Sequence, residues 1–150
     1  MPFKHYHIEY RKNLDELTRM TGFKNMALFD LVKDFIPGNL KKIGDPDSSI
    51  KQINCHGYTF AKDCWYEVKN VQETINRKIL LETKKSKKGD FVIYFLNKTT
   101  GIKIIKHSGI YLGKGKVRSK WGNGPVFIHD LYNVPFTYGE FVKFFKKKRS

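Results

Sequence analysis

Two cysteines, Cys55 and Cys64, and five histidines are the residues best suited to covalent chemistry in this chain. Cys55 lies in Ile53-Asn54-Cys55-His56-Gly57-Tyr58-Thr59-Phe60, directly behind a polar residue able to cap a helix. A thiol at a helix N-terminus meets free N–H groups and a partial positive charge, which favour the nucleophilic thiolate. Such a nucleophile needs a base within hydrogen-bond reach, and the base needs a third group to hold its ring. His107, in Lys106-His107-Ser108-Gly109-Ile110-Tyr111, and His129 both fall on predicted strands, whereas His5 and His7 stand in a ragged aromatic and basic start. Along its strand His107 shares a face with Ile105, Gly109 and Tyr111, and Gly109 leaves room for a packed helix terminus. The alternative for any one strand histidine is a satisfied core or surface residue. His56 reads as a surface residue of the first helical turn.

A zinc site from Cys55, Cys64, His107 and His129 lacks any close ligand pair of the Cys-x2-Cys or His-x3-His kind, so no metal is expected. No Gly-rich phosphate loop, paired-carboxylate pattern or serine nucleophile elbow occurs, and no cofactor is expected. Cys55 and Cys64 would lie on opposite sides of one continuous helix and could not bond, which leaves Cys64 as a small buried apolar residue.

The elements that must position these residues change in kind along the chain. With 150 residues, 40% apolar and 15% aromatic, one folded domain is expected over 1–150. Residues 1–40 read as a helical N-terminal extension, with Asn13 capping one helix that Gly22 ends and Asn25 capping a second that Pro37-Gly38 stops. Residues 37–52 carry loop chemistry. The Cys55 helix should start near Asn54 and bury Tyr58, Ala61, Trp65 and Val68. A further helical or mixed segment covers about 70–82. From Gly89 the period becomes that of strands: Phe91–Leu96, Ile102–Leu112, Lys116–Trp121 and Val126–His129, joined by Gly-rich turns. A short amphipathic helix from about Glu140 and a basic tail over 140–150 close the chain. Helices followed by an antiparallel meander predict an α+β domain.

Asn54-Cys55-His56-Gly57, then Lys88-Gly89-Asp90-Phe91-Val92, then His107-Ser108-Gly109-Ile110-Tyr111-Leu112-Gly113 resembles the NlpC-type papain-like cysteine peptidases over roughly residues 50–130, the expected catalytic core. The resemblance implies a Cys-bearing helix packed on an antiparallel sheet of about four to six strands, with the N-terminal helices as an addition. It also implies Cys55 as nucleophile, His107 as general base, and the Cys55 N–H as part of the oxyanion hole. The family usually places a His, Asn or Gln about twelve residues past the base, where this chain has Ser119. Ser119 or His129 is therefore the orienting group, with His129 preferred for its longer reach. Ser119-Lys120-Trp121-Gly122 invites a role near the site: Trp121 walling the cleft and Lys120 meeting an anionic substrate group, against an ordinary cross-strand Trp with a solvated Lys.

The expected function is cleavage of a peptide or isopeptide bond through a Cys55 thioester, with bacterial cell-wall peptides as the family's commonest substrate. Amidase, deamidase and acyl-transfer chemistry on protein or lipid are the same fold's alternatives. A net charge of +15 favours a polyanion, whether nucleic acid, an anionic lipid surface or a cell-wall polymer. It equally keeps a lysine-rich protein soluble. A non-catalytic basic module binding nucleic acid or another polyanion is the competing class, although no recognition helix or stacking platform accompanies the charge. No apolar run approaches the roughly 20 residues of a membrane span, and the N-terminus lacks a secretory signal. Synthesis in the cytoplasm is expected, with delivery by a dedicated export or lysis route still open.

Overall fold

The computed structural model describes residues 8–21, 40–45, 47, 53–62, 64–98, 101–122 and 124–149. His5, His7 and the predicted second helix capped by Asn25 lie outside them. Among the described residues the chain forms α1 (Ile8–Thr21), β1 (Lys41–Gly44), α2 (Cys55–Thr59), α3 (Val68–Asn76), β2 (Leu80–Thr83), β3 (Phe91–Asn97), β4 (Lys103–Gly113), β5 (Lys116–Lys120), β6 (Val126–Asp130), a 3-10 turn (Phe136–Tyr138) and β7 (Phe141–Lys147). It is an α+β fold around one seven-stranded sheet of order β1-β6-β5-β4-β3-β7-β2. Every neighbouring pair is antiparallel.

The sheet is packed on both faces. Val92, Tyr94, Tyr111, Val117, Trp121 and Phe127 form one apolar layer, closed by Leu14 of α1. Ile93, Phe95, Ile105 and Phe145 form the other, closed by Val71 of α3. A strand covered on both sides needs apolar residues at successive positions, which accounts for the unbroken run Phe91–Leu96 in β3. Gly89, at φ +97°, makes the turn into β3, and the Asp90 carboxylate accepts from Lys87 N–H at 2.8 Å to fix it.

Four of the strands fall where the alternation places them. The remainder corrects the expectation of four to six. β1 lies within the stretch read as loop, and β2 ends the segment read as helical or mixed. β7 replaces the amphipathic helix from Glu140: it pairs with β3 on one side and β2 on the other. Its aromatic and β-branched residues suit that slot, with Phe141 and Phe145 packed in one layer and Val142 and Phe144 in the other. α1 begins at Ile8 rather than after Asn13. Tyr10, Leu14 and Leu17, spaced as one helical stripe, pack on the first core layer, so the buried stripe starts before Asn13.

Candidate active site

Asn54 caps α2 as expected: its Oδ1 accepts from Gly57 N–H at 2.9 Å. The same oxygen accepts from Tyr66 N–H at 2.9 Å, and Nδ2 donates to Tyr66 O at 2.7 Å. Asn54 thus joins the start of α2 to the chain that follows it. The helix itself is short. After Thr59 the chain turns at Phe60 and reaches Ala61 with φ +54°, so Trp65 and Val68 do not continue an inner stripe and are exposed. Cys64 is exposed too, and neither cysteine is bonded.

α2 packs against β4 and β5. The β4–β5 ladder runs through Gly113↔Lys116, Tyr111↔Val117 and Ile110↔Arg118. His107 and Ser108 lie beyond its end, still paired on the other side with Tyr94 and Ile93 of β3. Ser108, through its N–H and hydroxyl, is among the groups whose influence lowers the Cys55 thiol. The N–H groups of His56 and of Cys55 itself act in the same direction. Burial outweighs these influences and pushes the thiol up from 9.0 to about 11. Cys55 is 8% exposed. The resting residue is therefore a neutral thiol at physiological pH, contrary to the thiolate that a helix terminus alone would favour. A five-residue helix has little dipole to set against desolvation.

His107 is 1% exposed, with its ring 4.5 Å from Tyr138 and 5.2 Å from Tyr94. Its Nε2 is buried without a hydrogen-bond partner. Burial first, then the nearby His129 and His56 rings, hold it well below its ordinary 6.5, so it rests neutral. Tyr138 lies close to both centres: its ring packs on His107, and charge on Cys55 pushes its phenol up further after burial has done so. Gly109 has a different use from the one expected. A Cβ there would meet Val117 Cγ1 at 2.6 Å and Ser119 Cβ at 3.0 Å, so the glycine lets β5 close on β4 rather than admitting α2.

The two candidates for the third residue are hydrogen-bonded to each other. His129 Nδ1 meets Asp130 O at 2.7 Å, which makes it the protonated nitrogen, because a carbonyl only accepts. His129 Nε2 then accepts from the Ser119 hydroxyl at 2.7 Å. With both nitrogens engaged, His129 lies in electrostatic range of His107 but holds it by no hydrogen bond. Lys120 and Trp121 are not cleft residues. The Lys120 side chain is 5% exposed, pairs with Asp47 at 2.7 Å and donates to Gly124 O at 2.7 Å. Trp121 is fully buried against Phe127, His129 and Tyr138, with its indole N–H unpartnered.

Three residues gain a place that their sequence did not announce. His56 is buried rather than on the surface, with Nδ1 2.7 Å from Ser108 Oγ. Ser108 was visible only as a neighbour of His107. Asp47 also accepts from Ile53 N–H at 2.7 Å, which ties Lys120 to the residues leading into Cys55. An open pocket of about 360 Å³ lies away from these groups, floored by Ile75, Leu80, Phe95 and Phe145. Among the described residues no three His, Cys, Asp or Glu side chains gather to hold a metal, and no helix is long and apolar enough to cross a membrane. No protein-family profile, curated protein or solved structure matches the chain.

Proposed function

We propose that the chain is a papain-like, NlpC-type cysteine hydrolase that cleaves a peptide or isopeptide bond through a thioester on Cys55, with His107 as its acid–base group. The observation that carries the reading is a buried thiol at a capped helix start and a buried imidazole that both lie within range of Tyr138. Polar groups around the sulfur favour the charge that forms on it during attack. As the sulfur bonds to the carbonyl carbon, the thiol proton leaves to a base and the carbonyl oxygen gains charge beside the Cys55 and His56 N–H groups. Collapse breaks the C–N bond while imidazolium gives the departing amine its proton. Water then attacks the thioester and frees the acid and the thiol. Because the resting groups are neutral, proton removal accompanies attack instead of preceding it.

Cell-wall peptides are the first substrates to try; amidase, deamidase and acyl-transfer reactions use the same thioester. The test is mass spectrometry of the chain with peptide, isopeptide and amide substrates. An acyl adduct on Cys55 with product release is expected, absent in Cys55→Ala and slowed roughly 100-fold or more in His107→Ala. Wild-type turnover equal to that of Cys55→Ala on all three substrate types refutes the proposal. A second reading, a non-catalytic basic module for polyanions, is favoured by the protonated resting thiol together with the +15 charge. It predicts salt-sensitive retention on nucleic acid or an anionic polymer that Cys55→Ala leaves intact.

A further inference from the structure

α3 does not fill the second sheet face, and no step of the mechanism uses what it leaves open. Its Val71 lies in that apolar layer and Ile75 packs against it. Beside the helix runs the open pocket of about 360 Å³, with Ile75 and Lys78 on the helix side and Leu80, Phe145, Phe95 and Lys103 along the sheet. Those last four residues belong to β2, β7, β3 and β4, which are consecutive in the sheet. Three strand spacings of about 4.8 Å make the pocket about 14 Å long, so its cross-section is about 25 Å². It is a slot one hydrocarbon chain wide rather than a round cavity.

The charges on the slot are not evenly matched. Lys143 also lines it, but its Nζ lies 3.2 Å from Glu82 Oε1 and is neutralised there. Lys103 has no carboxylate partner among the described residues. Its Nζ stands 5.5 Å over the Phe141 ring, which stacks on Phe95 at 5.5 Å and 14°. An unpaired ammonium is thereby held at the β4 end of the slot. Lys78 closes α3: Ile79 N–H donates to Thr74 O at 2.9 Å and Lys78 N–H to Ile75 O at 3.1 Å, with Lys78 at φ +60°. Glycine ordinarily occupies that left-handed position, because a Cβ crowds it. Lysine puts a four-carbon stem on the slot wall where glycine would leave none.

We propose that the slot binds a fatty acid, with its carboxylate at Lys103 and its single acyl chain lying over Phe95 and Phe145 toward Leu80. One linear tail suits a slot of that width, and one negative charge suits the one unpaired ammonium at the β4 end. A two-chain membrane lipid is too wide for it. A polyanion finds no row of cations inside, since Lys143 is engaged by Glu82. With the head at Lys103, the Lys78 stem covers the far end of the tail while its ammonium stays in water beside the helix C-terminus, where a cation is favoured. The site stands apart from Cys55, so it does not depend on the hydrolase reading.

The experiment is methyl NMR of the full chain titrated with sodium octanoate, decanoate and dodecanoate, each below the concentration at which it forms micelles. Saturable shifts are expected at the Ile75 and Leu80 methyls, with none at the Val117 methyls of the other layer. Each two added CH2 groups should tighten binding about fourfold, half the value for full burial because the slot is open on one side. Lys103→Met should weaken decanoate about three- to fivefold and leave decanol unchanged. Lys78→Gly relieves the crowded position, so its Tm should be no lower, while loss of the stem should weaken decanoate and decanol alike. Wild-type shifts that do not saturate, an affinity independent of chain length, or decyltrimethylammonium bound as tightly as decanoate overturns the proposal. So does a response to vesicles of anionic lipid alone, which assigns the contact to surface charge. Cys55→Ala should bind decanoate like wild type whether or not the chain hydrolyses amides, so the two readings fail separately.

Discussion

The ion pair between Asp47 and Lys120 gives the sharpest test of how the candidate site is held. Its side chains are 15% and 5% exposed, and Nζ lies 2.7 Å from Oδ1. Asp47→Ala strands a buried ammonium whose remaining acceptor is Gly124 O and removes the acceptor of Ile53 N–H. Breaking a buried pair from one side costs about 3–5 kcal/mol, and an orphaned N–H adds about 1–3 kcal/mol. Because the Gly124 carbonyl still serves Lys120 and Asp47 is not fully enclosed, we take the low part of that range, about 4 kcal/mol in all. For 150 residues this is a fall in Tm of roughly 8–16 °C. Lys120→Met leaves Asp47 its bond to Ile53 and some water, so about 2 kcal/mol is expected. The double variant should be more stable than the sum of its parts, since a pair replaced by apolar groups loses its Coulomb energy and its desolvation cost together. Urea and thermal unfolding followed by circular dichroism measure all four chains. Additive losses, or an Asp47→Ala chain within about 0.5 kcal/mol of wild type, refute a buried, coupled pair.

Two further outcomes follow from burial around the thiol. His56 and His129 are held from 6.5 down to about 4 by desolvation. Between those values the unfolded chain binds the extra protons, so stability falls as pH falls, by up to about 3 kcal/mol per ring. Cys55 has the opposite sign: its stability contribution is intact below 9.0 and is lost as pH rises toward about 11. Urea midpoints measured from neutral pH down to about 4 should decline, less steeply in His129→Asn, and a flat profile contradicts the buried neutral rings. At Gly57 an added Cβ would strike the Cys64 carbonyl and approach Ile53 Cγ2 at 2.7 Å, both fixed by the turn after α2. Gly57→Ala should cost about 1–3 kcal/mol in urea unfolding and disturb the Cys55 NMR signal; a neutral substitution shows that the turn can move.

What the sequence disclosed depended on whether a local rule decided the outcome. β3 to β6 have strong alternation or apolar runs between glycine turns, and those signals name a strand without knowledge of its neighbours. Asn54 as a cap is likewise local, since its oxygen serves an N–H three residues ahead. β7 was not legible because Phe141–Lys147 suits an amphipathic helix as well as a strand covered on both faces, and only the slot between β3 and β2 decides. The site divides in the same way. Cys55 and His107 stand out by type and spacing. The partners of Lys120, Ser119 and His56 are set by β5, β6 and the end of the β4–β5 ladder. Lysine pairing with a loop aspartate, and an imidazole turned inward beside a cysteine, leave no periodic trace in the chain.

α1 bears on the candidate site through the turn it holds. From α1, Arg11 donates to Val134 O at 3.0 Å, Pro135 O at 3.3 Å and Gly139 O at 2.5 Å. Tyr10 donates to Asn133 Oδ1 at 2.6 Å, and Asp15 accepts from the Thr137 hydroxyl at 2.6 Å. These bonds span the residues on both sides of Tyr138, whose ring lies on His107. The same cover that keeps water from Cys55 and His107 is what raises the thiol and lowers the imidazole, so exposure and proton affinity are one property here. A substrate that displaces Tyr138 would bring the carbonyl to the sulfur while changing the desolvation that keeps both groups neutral. On the proposed hydrolase reading, activation of the thiol and admission of the substrate would be a single event, governed by how firmly α1 holds the turn.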